Sequence, residues 1–343
     1  MGSAEATSTV GRYQSPAPSH LLKVSQMDSA DVLEIVQACG LSTEGAVVAP
    51  LTGGVSCDTY SVETSSGSLV VKQALGELRV TELWQSDPGR VVAEAEGLRW
   101  FHQLSPDNVP EPIAVVEDRN AVILPRAPQP SPDLREVLLE RPSHATAALG
   151  GKIGRLMAHW HTANPEKAGG TALDDQSRLI SLRVDPFYRD MRSRWPQYEA
   201  TISNAIEELL DGSYAVIHGD FTPKNMLSVG EGFWVIDTET AHIGHPVLDT
   251  ASLLAHLLLK EVHHQDNEQN RGFVRAFRRA VVEAARRSVM SFPPSLGAHI
   301  GIIIGVRVDG RSRAPYLTGP GKNQARAVAR ALLEGAGIDE AMA

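Results

Sequence analysis

Val216-Ile217-His218-Gly219-Asp220-Phe221-Thr222-Pro223-Lys224-Asn225 is the stretch on which the fold turns. A short apolar run enters a polar loop that holds an acid, Asp220, and an amide, Asn225. Two strand-like runs follow, and the second, Phe233–Ile236, delivers Asp237-Thr238-Glu239. A buried strand that ends on an acid needs a partner for that charge, and a metal ion is the best one. One carboxylate to orient a hydroxyl, with an amide and a second carboxylate to hold magnesium on ATP, is the residue set of phosphoryl transfer. On this reading Asp220 is the catalytic carboxylate, and Asn225 and Asp237 are the metal ligands. His218 braces the loop by hydrogen bonds, and Lys224 neutralises charge on the transferred group.

Moving towards the N-terminus, three further signals fall in order. Thr52-Gly53-Gly54-Val55-Ser56 lies between two strand-like runs, and glycines there let the backbone approach phosphate oxygens. Gly53, Gly54 and Ser56 are therefore candidate nucleotide contacts, with an ordinary glycine hairpin as the plain alternative. Lys72 closes Leu69-Val70-Val71-Lys72 and can pair the nucleotide phosphates if a helix acid holds it. Glu94 and Glu96 are the candidates on the next helix, and Glu94 is preferred.

The chain has 343 residues, enough for two lobes, and 42% of them are hydrophobic, ample for a packed core. A formal net charge of −9 argues against a nucleic-acid partner and gives no basic membrane signal. Two cysteines, Cys39 and Cys57, offer neither a disulfide framework nor a zinc site. No apolar run is long enough to span a bilayer, and the N-terminus lacks a leader pattern. A cytoplasmic protein is expected, monomer or homodimer, with a tail over residues 1–25.

The pattern predicts a small sheet lobe over 26–127. It holds a helix at Asp31–Cys39 and strands at Val47–Leu51, Thr59–Val62 and Leu69–Lys72. A helix at Val91–Leu104 and a hairpin of Ile113–Val116 with Ala121–Leu124 complete it. Pro125, Pro128, Pro130 and Pro132 then stiffen a linker. Beyond it a mainly helical lobe, 128–343, is expected, with helices at Leu149–Ala163, Gln197–Leu210, Val247–Lys260, Arg271–Arg287 and Asn323–Leu333. The fold class is α+β and bilobal.

The motifs together resemble the aminoglycoside phosphotransferase family, which includes choline kinase and methylthioribose kinase and shares the protein-kinase-like fold. The resemblance rests on Gly53-Gly54-Val55-Ser56, Val71-Lys72, Glu94-Ala95-Glu96, Gly154–His161, His218-Gly219-Asp220 through Asn225, Asp237-Thr238-Glu239 and Gly244-His245-Pro246 with Asp249. It implies that Asp220 is the base, that Asn225 and Asp237 hold Mg2+, and that Lys72 with Glu94 positions ATP. It also implies a hinge at Leu124–Ala127, Arg126 included, that meets adenine, and an Asp249 that braces the catalytic loop. Glu239 then helps near the metal or the acceptor.

Only eleven residues separate Asp237 from Asp249. That leaves no room for a peptide platform, so the acceptor is expected to be a small-molecule hydroxyl, sugar-like, aminoglycoside-like or another metabolite. Asp174, Asp175, Asp185 and Asp190 could meet an amine on it, or could be solvated helix ends. Arg307 and Arg311 could grip a carboxylate or phosphate. His256, His263 and His264 are expected on a helix surface. The alternative to an active kinase is a catalytically silent nucleotide-binding protein with the same fold.

Overall fold

The computed structural model describes residues 27–51, 56–79, 85–212, 214–288 and 291–342. The tail 1–25 and the glycines Gly53 and Gly54 lie outside the described residues.

Helix α1 (Ser29–Ala38) opens the chain, capped by an Asp28–Asp31 box, and buries Val32, Ile35 and Val36. Strands β1 (Val47–Pro50), β2 (Cys57–Thr64) and β3 (Gly67–Ala74) precede helix α2 (Arg90–Leu104). Strands β4 (Ala114–Val116) and β5 (Ala121–Pro125) follow it. They form one antiparallel sheet in the order β1-β2-β3-β5-β4. Lys72 sits on the central strand, opposite Thr59 and Val122. Val71 beside it is fully buried against the α1 side with Val62 and Ile123, so strand alternation turns Lys72 to the other face. The sheet stops at Pro125, where Arg126 N–H still donates to Ser68 O.

The rest is mainly helical. Helices α3 (Leu134–Glu140) and α4 (Ala147–His161) are capped by Asp133 and Thr146. Helix α5 (Ser177–Leu179), a π-helical stretch (Ile180–Arg189) and α6 (Asp190–Arg194) run on without a break, and Pro186 lies inside the widened stretch. Helix α7 (Glu199–Asp211) leads to β6 (Ala215–Ile217), β7 (Met226–Val229), β8 (Gly232–Val235) and β9 (His242–Gly244). Two small antiparallel pairs result, β6 with β9 and β7 with β8. They frame the catalytic loop on one side and Asp237 on the other. Helices α8 (Val247–His263), α9 (Glu268–Ala285), α10 (Leu296–Val308), α11 (Gly319–Leu333) and α12 (Ile338–Ala341) complete the chain.

The expected helices and strands all appear, with ends shifted by a few residues. Helices α3 and α10, and the short α5, α6 and α12, were not foreseen. Helix α10 is buried on nearly every side, so it has no polar face and shows no 3.6-residue alternation to read. Helix α8 is similarly enclosed, and its histidines correct the surface expectation. His264 is buried with Nε2 against Leu138 O at 2.9 Å, and His263 Nδ1 meets Tyr316 O at 3.2 Å. No helix among the described residues is long and apolar enough to cross a membrane.

Candidate active site

The catalytic loop is held from beneath by one buried acid. Asp249, in the first turn of α8, accepts from the backbone N–H of His218 and of Gly219, each at 2.8 Å, and meets His161 Nε2 at 3.2 Å. His161 on α4 is in turn 2.8 Å from Ser291 Oγ through Nδ1. Burial works to raise the Asp249 carboxyl, but these donors hold it below its ordinary value. Gly219 has φ +74°, and a Cβ there would stand 2.4 Å from Thr240 O. Glycine is required at that step for both conformation and space.

His218 joins the loop to the segment that carries Asp237. Its Nε2 lies 3.0 Å from Ile236 O, and its Nδ1 accepts from Asp220 N–H at 3.2 Å. These two bonds fix the ring's orientation, with Nδ1 turned to the Asp220 N–H and Nε2 to the Ile236 carbonyl. They also pin the residue before Asp237, whose φ of +69° is a left-handed conformation uncommon outside glycine. Such a conformation persists only where the surroundings impose it, and it aims Asp237 at Lys72.

Asp220 is enclosed by donors. Arg183 Nη2 and Lys224 Nζ each lie 3.1 Å from its carboxylate, and Asn225 Nδ2 donates to it at 3.0 Å and to its backbone oxygen at 2.9 Å. Burial by itself would raise this carboxyl. Arg183, Lys224 and His218 outweigh it and hold the group well below the usual carboxylate range. Arg183 comes from the π-helical stretch, is buried, and is locked by Nε donating to Gly219 O at 2.7 Å. Sequence reading did not single it out. The signal available was a lone arginine between Leu182 and Val184, which gives no hint of its distant partner.

On the nucleotide side, Lys72 Nζ pairs with Glu94 and lies 2.8 Å from Asp237 Oδ1. Burial opposes the ammonium, but the two carboxylates raise its pKa well above the ordinary value. One lysine shared by two acids leaves them unequal. Burial pushes Glu94 up, whereas Lys72 and Lys224 together hold Asp237 down despite burial. Glu96, the other candidate, faces away and accepts from Ala172 N–H at 2.5 Å. Helix α2 is anchored on the segment that carries Asp237, since Thr238 Oγ1 donates to Glu94 O at 2.7 Å. Gly97 makes this approach possible, because a Cβ there would come within 2.9 Å of Thr238 and Ala241.

A magnesium ion fits this donor set. Turning its amide nitrogen to Asp220 leaves Asn225 an amide oxygen to offer beside the Asp237 carboxylate. No cluster of three or more His, Cys, Asp or Glu suited to a metal occurs among the described residues. Two protein oxygens without such a cage suit magnesium, which keeps several waters and relies on substrate phosphates for the rest.

The remaining candidates separate. Ser56 stands beside the nucleotide side, its carbonyl accepting from Arg90 Nη2 at 2.6 Å. Leu124 is buried in the main core at the end of β5. Arg126 turns outward to pair with Glu63, and its N–H is already bonded to Ser68. Glu239 was expected near the metal or acceptor. It is held instead by Arg90, a buried arginine on α2 whose Nε lies 2.8 Å from Glu239 Oε2. Glu239 therefore ties α2 to the Asp237 segment, and it lies near enough to Lys72 and Glu94 to act on their charge. Arg311 lies at the rim, 3.4 Å from Asp190. Arg307 is on the last turn of α10, and Asp220 lies near enough to act on its charge.

The four acids weighed for an amine-bearing acceptor are all engaged locally. Asp174 accepts from Gly170 N–H at 3.3 Å, and Asp175 from Ser177 and Arg178. Asp185 pairs with Arg189, and Asp190 with Arg194.

The sequence profile of the phosphotransferase enzyme family matches residues 47–289. The chain belongs to that family. It is a phosphotransferase of the small-molecule kinase type, with the protein-kinase-like fold. None of the curated proteins searched matches the sequence. Among solved structures, amicoumacin kinase hAmiN in complex with AMP-PNP, Ca2+ and Ami is similar at 13% identity and a TM-score of 0.55, over 92% of this chain and 96% of that one. ADP-bound aminoglycoside phosphotransferase APH(2'')-Ib is 13% identical with a TM-score of 0.51, over 90% and 98%. Macrolide 2'-phosphotransferase MphH from Brachybacterium faecium is 16% identical with a TM-score of 0.48, over 89% and 98%. At these identities the first two speak to fold alone.

Proposed function

We propose that the protein transfers the γ-phosphoryl group of magnesium-ATP to a hydroxyl of a small-molecule acceptor, with Asp220 receiving that hydroxyl. The observation that supports this reading most is the convergence of Lys72, Glu94, Asp237, and the loop pair Asp220 and Asn225, from four separate elements into one cluster.

Asp220 is held so acidic by its cationic neighbours that it is a weak base. Its role is to orient the hydroxyl by accepting a hydrogen bond and to take the proton late. That suits a loose transition state, in which the nucleophile needs little activation. The acceptor oxygen–phosphorus bond forms while the bond from phosphorus to the β–γ bridging oxygen breaks. ADP leaves with that electron pair, and the hydroxyl proton passes to Asp220. Magnesium, held by Asn225 and Asp237, supplies neutralisation of phosphate charge when bound. Lys72 holds phosphate oxygens, with Glu94 fixing its rotamer. Lys224 balances negative charge beside the transferred group.

The intact set of Lys72, Asp220, Asn225 and Asp237 favours an active enzyme over a silent nucleotide-binding one. Asp220→Ala is expected to keep magnesium-ATP affinity, measured by calorimetry. The same change should lower phosphorylated product by about a hundred- to ten-thousand-fold. Unchanged turnover in that variant sinks the assignment.

A further inference from the structure

Lys260 lies in the last turn of α8 with 0% exposure, and among the described residues no carboxylate is within ion-pair reach of it. Its ammonium touches only Tyr316, 3.2 Å from the hydroxyl and 4.9 Å from the ring centroid. A lysine with no anionic partner is costly to bury, so it calls for a reason. Cations at helix C-termini are ordinarily stabilised by the helix dipole, which explains exposed ones. It does not explain a side chain wholly withdrawn from water whose ammonium meets a phenol and not a carbonyl.

Arg307, at the end of the neighbouring α10, is the second anomaly. One guanidinium nitrogen donates to Ser312, but Nε is buried with no hydrogen-bond partner. Buried donors are almost always satisfied, so this one is short of an acceptor. Arg307 and Arg135 act electrostatically on Lys260, and Arg307 in turn lies near Asp220 and Arg183. The carboxylates in this neighbourhood are Asp220, already held by Arg183 and Lys224, and Asp133, paired with Arg135 at 2.8 Å. Beside the proposed hydroxyl-receiving acid, then, an acidic protein gathers an excess of positive charge. The two carboxylates there, Asp220 and Asp133, are already answered by cations and leave none to meet an amine.

Resting on the kinase reading above, we propose that Lys260, Arg307 and Tyr316 form an oxyanion subsite next to Asp220, and that the acceptor carries a carboxylate or a phosphate monoester as well as its hydroxyl. An oxyanion there supplies the acceptor that Arg307 Nε lacks and the counter-charge that Lys260 lacks. The burial and neighbouring arginines that bring the Lys260 ammonium down to about 7 act in the opposite sense once an anion is bound. Binding of the anion at pH 8 therefore takes up a proton.

Four matched probes test the subsite: glycerate, glycerol 3-phosphate, glycerol and ethanolamine. Each is titrated by thermal shift against the protein saturated with AMP-PNP and magnesium, so that phosphate-binding groups of the nucleotide site are already filled. We expect glycerate or glycerol 3-phosphate to stabilise the protein and glycerol and ethanolamine not to. Which anion is stronger separates carboxylate from phosphate. Apparent affinity for that anion should fall at least about tenfold in Lys260→Met and in Arg307→Gln. AMP-PNP affinity should stay as in the parent. Arg307→Gln keeps the test decisive if Lys260→Met does not fold. Stabilisation by ethanolamine or glycerol beyond the anions overturns the subsite. So does an anion effect equal in parent and variants, or no anion effect at all. Product formation from ATP and any probe reports on the kinase reading separately. An anion that protects without being phosphorylated leaves the subsite standing, whereas a phosphorylated ethanolamine keeps the kinase and removes the subsite.

Discussion

The two sides of the catalytic loop solve the problem of buried charge in opposite ways. On the nucleotide side every cation has its carboxylate: Lys72 meets Glu94 and Asp237, and Arg90 meets Glu239. On the other side, among the described residues, Lys260 meets only a tyrosine and Arg307 keeps a donor unmatched. Balanced pairs lock side chains in place before a ligand arrives, which suits a site whose ligand, a nucleotide, also brings its own magnesium. Unbalanced cations wait for a charge from outside. Under the oxyanion-subsite proposal, this unbalanced side is where acceptor specificity would reside.

The balanced side breaks hardest. Lys72→Met removes the shared cation and leaves buried Glu94 facing half-buried Asp237. We expect kcat/KM to fall by about a hundred- to a thousand-fold. Magnesium-ATP affinity should fall less, since lysine is only one of its contacts. A steady-state assay with separate nucleotide titration measures both, and a change in KM alone would mean that Lys72 serves ground-state binding only.

The unbalanced side is tested through stability. Burial first, then Arg307 and Arg135, depress Lys260 from the ordinary 10.5 to about 7, against an opposing pull from Asp133. His256 one turn back, itself well below its ordinary value, adds no negative charge. The folded state thus releases a proton that the unfolded chain keeps between those two values. Through that window the lysine's cost shrinks as pH rises, and it is full below pH 7. Lys260→Met should therefore be more stable than the parent, by on the order of 4 kcal/mol at pH 7. Its advantage should narrow towards pH 10. Denaturant melts of both proteins across that range give the difference, and a gap that is flat or grows with pH would contradict an unpaired lysine.

The loop between the two sides should respond least to charge and most to shape. Gly219→Ala places a methyl against Thr240 O in a left-handed conformation, at a cost of more than about 1 kcal/mol. Hydrogen exchange should show the loss of protection at the His218 and Gly219 amides held by Asp249. Retained protection would show that the loop absorbs the methyl.

Much of this was legible along the chain. Sheet strands alternate or carry β-branched runs, and α4 and α9 show their apolar stripes, so each was found within a few residues. Glu94 was preferred to Glu96, and the structure turns Glu94 to Lys72 and Glu96 to Ala172. Helix α10 was hidden because burial on all sides erases the periodicity that marks a helix. The acids at 174, 175, 185 and 190 read as possible acceptor contacts because a sequence does not show that a backbone N–H takes Asp174 and an arginine three or four residues on takes each of the others. Glu239 read as a site residue for the same reason, its partner Arg90 lying on a helix far back in the chain.

The sequence by itself determined which chemistry the protein carries. The acid, amide, second acid, lysine and helix acid are set by residue type and order, and each sits at a strand end, in a loop or on a helix that local patterning reveals. Only the tertiary structure decided which charges are answered and which are not. Arg183, Lys260 and Arg307 come from three separate helical segments, and whether a buried cation has a partner depends on what packs against it, which no local stretch of chain encodes.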